Sequence, residues 1–93
     1  MNSMTESKRA YTLKADGNCI ELCHQPTLKE AQNIVGGYIE YVKSTLSPNK
    51  TLIVNEDGLA LRLPFNPGAS ELYIHSPIVG DVIILEGWEG VLP

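Results

Sequence analysis

The chain is 93 residues long, 43% hydrophobic and 19% charged. That composition excludes a disordered polymer and fits one domain whose small core buries about 60–65% of the unfolded surface. The formal charge is −4 and uneven. Residues 1–14 are basic (Lys8, Arg9 and Lys14 against Glu6, +2), residues 15–50 stand at −1, and residues 51–93 carry six acids against Arg62 (−5). Phosphate recognition needs clustered Lys and Arg, so this distribution speaks against a nucleic-acid partner. No apolar run approaches the ~18–20 residues of a membrane span, and the opening MNSMTESKR lacks the apolar segment of a secretory signal. Residues 1–8 are expected to form a tail, residues 9–87 the domain and residues 88–93 a loose end.

Arg9 to Lys14 alternates, with Tyr11 and Leu13 on one face and Ala10, Thr12 and Lys14 on the other. Ala15-Asp16-Gly17-Asn18 is a turn by its residue types, and Cys19 to His24 follows as the second strand of a hairpin. Thr27 with Glu30 three residues on makes a capping box that starts a helix. Leu28, Ala31, Ile34 and Val35 form its apolar stripe, and Gly36 stops it. Gly37–Lys43 and Thr51–Asn55 are strands by composition. Glu56-Asp57-Gly58 turns the chain, and Leu59, Leu61 and Leu63 alternate on the return until Pro64. A helical turn is expected within Ala69–Tyr73 and a closing apolar strand over Asp81–Leu85. The reading is an α+β domain: a mixed β-sheet packed by one short helix, in the order β-β-α-β-β-(short helix)-β. That order resembles β-grasp (ubiquitin-like) domains and is also compatible with other α+β sandwiches of one sheet and one helical layer.

The residues that could carry chemistry mostly have simpler explanations. Cys19 and Cys23 on one strand would sit about 13 Å apart, too far for a disulfide, and a reduced cytoplasmic setting follows. His24 would point away from them, which does not assemble three ligands on a metal. Neither thiol lies where a helix N-terminus or a glycine elbow would activate it. The Glu56-Asp57 pair precedes a glycine and suits a surface turn. Gly36-Gly37 ends a helix rather than opening one, the wrong pole for a phosphate. No residue set calls for a cofactor, and the chain reads as no enzyme.

Four segments carry a resemblance: LKEAQNIVGGYIEYV, LIVNEDG, LPFNPGAS and PIVGDVIIL. Together they resemble a small family of uncharacterised domains found mostly in bacteriophages, mobile elements, their bacterial hosts and large algal viruses. The match spans roughly residues 20–85 and includes Gly36, Gly37, Tyr38, Glu40, Asn55, Glu56, Gly58, Leu63, Asn66, Gly80 and Asp81. It implies a phage- or mobile-element-type protein in the host cytoplasm and no particular activity. The segment after Asn66 is shorter than the family's commoner pattern.

Tyr38, Glu40, Asn55, Glu56 and Asn66 are polar residues at strand ends and turns. They are the candidate binding residues, against the alternative that they hydrogen-bond local backbone. The expected function is a non-catalytic binding or inhibitory module acting on a host protein. A small-ligand binder for a nucleotide or signalling molecule and a ubiquitin-like carrier are the alternatives. An edge strand with an exposed tyrosine would also allow a homodimer.

Overall fold

The computed structural model describes residues 8–88 and Leu92. The expected tail therefore lies outside the described residues except for Lys8. Seven elements follow one another: β1 (Arg9–Leu13), β2 (Cys19–Glu21), α1 (Leu28–Val35), β3 (Ile39–Lys43), β4 (Lys50–Asn55), α2 (Pro67–Ser70) and β5 (Val82–Glu86). The strands form one five-stranded sheet ordered β2-β1-β5-β4-β3.

Every strand pair is antiparallel. The expected mixed sheet is therefore corrected: the five strands form an antiparallel sheet. The connections explain the difference. The β2–α1–β3 passage carries the chain from one sheet edge to the other. The segment between β4 and β5 leaves from Asn55 and re-enters at Val82 on the same end, since Ile53 lies opposite Ile83. It acts as a very wide hairpin, and β5 enters the gap beside β1 antiparallel to both neighbours, with Leu13 opposite Val82.

The alternation of β5 decides the layering. Ile83 and Leu85 face α1 with Ala10, Ile53, Ala31, Val35 and Leu92; Val82 and Ile84 face the other way with Tyr11, Leu52, Val54, Ala69 and Ile78. A strand covered on both faces reads as a continuous apolar run, as VIIL does. The second cover is the β4–β5 connection itself, with α2 inside it.

Local signals shape α1. The Thr27 side chain accepts from the Glu30 N–H (3.1 Å) and the Glu30 carboxylate accepts from the Thr27 N–H (2.8 Å), completing the capping box. Gly36 takes the left-handed conformation (φ 84°) and its N–H bonds Gln32. Eight residues make a marginal helix alone, so packing of Ala31, Ile34 and Val35 on the sheet must hold it. Leu28, expected in that stripe, is exposed instead.

One further expectation is corrected. Leu59–Leu63 is not a strand: Leu61 N–H bonds Asp57, Arg62 N–H bonds Leu59, and Leu63 N–H bonds Gly58, which coils the segment into successive turns. Arg62 is left-handed there (φ 58°). Leu59 and Leu61 are exposed and only Leu63 turns inward, so the alternating leucines mark no sheet face. Of the expected loose end, residues 88–93, only Trp88 and Leu92 are among the described residues. The Trp88 indole N–H donates to the Arg9 carbonyl (3.0 Å), and Leu92 is buried with its N–H on the Tyr41 hydroxyl (2.9 Å).

Candidate functional site

Tyr38, Glu40, Asn55 and Glu56 lie where β3 begins and β4 ends, whereas Asn66 lies by the end of β1 and the approach to β5, so the five do not form one site. Asn55 is the last residue of β4 and is buried. Its Nδ2 donates to the Val35 carbonyl at the end of α1 (3.1 Å), and its Oδ1 accepts from the Asp57 N–H (2.8 Å). The side chain thus fastens the helix end to the turn after β4. It also explains Gly37, where a Cβ would stand 2.9 Å from Asn55 Nδ2.

Asn66 is fully buried. Its Nδ2 donates to Leu13 (2.9 Å) and Gly80 (2.8 Å), and its Oδ1 accepts from the Ala69 N–H (3.0 Å) as the cap of α2. One amide therefore joins the end of β1, the approach to β5 and the start of α2. Both asparagines have their hydrogen bonds made internally and serve the frame.

Tyr38 is 70% exposed, and its carbonyl accepts from the Glu56 N–H (2.9 Å). Its side chain lies beside Gln32, Asn33, Gly36 and Gly37, on a shallow hollow separate from the cleft that Glu40 and Glu56 line.

A cleft of about 360 Å³ runs between the outer half of the sheet and the β4–β5 connection. It is lined by Glu40 and Val42 of β3, by Asn55, Glu56 and Asp57 at the end of β4 and the turn after it, and by Leu59, Tyr73 and Pro77 of the β4–β5 connection, among others. Glu40, Glu56 and Asp57 are all exposed. Among the described residues the salt bridges are Arg9–Glu21 and Arg9–Glu86, so the three carboxylates have no described cation partner. Among the described residues no lysine or arginine lines the cleft. Among the described residues, no three His, Cys, Asp or Glu side chains come together as a metal site would need.

Of the expected residues, the structure thus brings together Glu40, Asn55 and Glu56, sets Tyr38 beside them and places Asn66 in the interior. Sequence reasoning missed Asp57 and Tyr73. In sequence Asp57 has the mark of a turn residue, which it also is. Tyr73 is brought over by the connection, and no local pattern signals that.

A second cleft of about 440 Å³ lies between β2 and α1, lined by Glu21, Leu22, Cys23, His24, Pro26, Glu30, Asn33 and Ile34. Near it, Arg9 holds Glu21 through two bonds (Nε–Oε2 3.1 Å, Nη2–Oε1 2.9 Å). That pairing keeps the Glu21 carboxyl below its usual range and raises the Arg9 guanidinium above its own. Cys19 and Cys23 are exposed free thiols.

An antiparallel sheet covered by one helix and one long connection, with an open acidic cleft at its outer strand, defines a small α+β domain. The chain belongs to the family described as a domain of unknown function, DUF3846, whose model matches residues 8–90. No curated protein and no solved structure matches it significantly.

Proposed function

We propose that this chain is a non-catalytic binding module of phage or mobile-element type, docking on a host protein in the cytoplasm and inhibiting it. One observation carries the reading: a cleft whose three exposed carboxylates, Glu40, Glu56 and Asp57, have no described cation partner, beside apolar Val42, Leu59 and Tyr73. Charge complementarity steers association and discriminates among partners, while an aromatic and aliphatic floor supplies buried area. The polar residues that could have served chemistry, Asn55 and Asn66, are committed to backbone groups. A nucleotide fits the cleft poorly, because its phosphates would face carboxylates without a lysine or arginine.

Affinity capture from host lysate tests the reading, with the wild-type chain beside a Glu40→Lys/Asp57→Lys variant. The expected result is a stoichiometric protein partner held by the wild type and lost from the variant. Wild-type capture that returns no stoichiometric partner overturns the reading.

A further inference from the structure

We infer that the open edge of β3 takes up an extended, arginine- or lysine-bearing segment of the partner as a sixth strand, with its basic side chains entering the acidic cleft. The inference rests on the binding-module reading above and specifies its geometry.

The hydrogen-bond phase of β3 is fixed by its ends. Glu56 N–H donates to Tyr38 C=O, and Ser44 N–H donates to Lys50 C=O. In an antiparallel ladder, hydrogen-bonded pairs alternate with non-bonded ones. Given the register Ile39↔Asn55 through Lys43↔Thr51, Glu40 and Val42 spend their backbone groups on β4. Ile39, Tyr41 and Lys43 therefore aim their N–H and C=O groups outward. Among the described residues no strand pairs with that side. The opposite edge, β2, is only three residues long against five in β3. A longer edge with an outward row of donors and acceptors is what strand addition uses.

The phase also aligns the edge with the cleft. Glu40 and Val42 share the face turned toward the β4–β5 connection, and both line the cleft. Residues of an added strand opposite them would place their Cβ atoms about 5 Å away on that same face. Long basic side chains at those alternate positions lie over Glu40 and extend toward Glu56 and Asp57. The Tyr41 side chain, on the other face, is held by Leu92, so its backbone faces the edge without needing rearrangement.

Charge selects a partner over a second copy of the chain. Two β3 strands matched on their outward groups would pair antiparallel about Tyr41. That register sets the two Glu40 carboxylates as diagonal neighbours on one face, in two molecules each carrying −4. A basic segment meets attraction at the same place.

The test uses a capped synthetic peptide of alternating valine and arginine, its valine–glutamate counterpart, and the isotopically labelled full chain. The expected result is micromolar binding of the arginine peptide, at least tenfold tighter than the glutamate peptide and weakened by salt. Amide exchange at Ile39, Tyr41 and Lys43 should slow. Lys43→Pro removes an outward N–H and no ladder bond, so the sheet survives while peptide affinity falls at least tenfold. Lys43→Thr keeps the N–H and should bind within a few-fold of wild type. Unchanged binding by Lys43→Pro, peptide contacts without protection of the three amides, or peptide-independent dimerisation through β3 would each overturn the inference. Retention of the lysate partner by Lys43→Pro overturns the edge alone and leaves the binding-module reading intact. That reading fails separately, in a wild-type capture that returns no stoichiometric partner.

Discussion

Asn66 sits three residues after Leu63 in LPFN and looks from the sequence like any turn asparagine. In the fold it is the best-connected side chain in the β4–β5 connection, satisfying Leu13, Gly80 and Ala69 at once. Replacing it by Ala leaves three backbone groups short of a partner in a buried place, each costing roughly 1–3 kcal/mol. Against a total stability of about 5–15 kcal/mol that is a severe loss. Asn66→Ala should lower stability by at least about 3 kcal/mol and the melting temperature by about 12 °C or more, measured by urea and thermal unfolding. Asn66→Asp separates the roles, because it keeps the cap on Ala69 but turns a carboxylate toward two carbonyls; it should be no better than Ala. Tyr38→Ala, at an exposed position, should shift stability by no more than about 0.5 kcal/mol. A Tyr38→Ala loss as large as that of Asn66→Ala would remove the distinction drawn between frame and surface. The sequence left both asparagines open between site and turn. What resolves them is burial and a bond spanning 53 residues, which no local window contains.

At the scale of elements, legibility follows how local the cause is. The start and stop of α1 were legible because both lie within a turn of the residues that cause them: Thr27 with Glu30, and Gly36 in the left-handed region. Each can be removed separately. Thr27→Ala should cost about 1 kcal/mol through the lost cap. Gly36→Ala forces a Cβ into a left-handed position and should cost about 1–2 kcal/mol. Both should shift the urea midpoint without altering binding of the arginine peptide, since neither residue lines the cleft. The Leu59–Leu63 stretch failed for the complementary reason. Period-two alternation implies a strand only where a neighbour offers a ladder, and here the turn that Gly58 opens bonds the backbone to itself. The cleft was half legible for the same reason. Glu40 and Glu56 come from adjoining strand ends, and Tyr73 arrives from the far connection.

At the scale of the molecule, the order of elements did not determine the sheet. A wide β4–β5 hairpin and a parallel crossover use the same string of strands, and the choice lies in where the long connection re-enters. The register that resulted brings Arg9 beside Glu21 of β2 and within 3.6 Å of Glu86 of β5, so one guanidinium spans three strands at the end opposite the cleft. Exposure makes this a weak clasp at neutral pH, but it has a defined sign with acid. Hydrogen bonding to Arg9 lowers the Glu21 pKa in the folded state. The contribution is therefore present above the unfolded carboxylate pKa of about 4.3 and is lost as pH falls through the lower folded value. Arg9 is raised above an already high value, so it stays charged throughout and adds no slope in that window. Glu21→Gln should unfold at a slightly lower urea concentration than wild type at pH 7. The gap should close as pH drops below 4, and the two midpoints should coincide near pH 2. A gap that persisted at pH 2 would show that Glu21 acts through packing, because a protonated carboxyl and an amide differ little in charge.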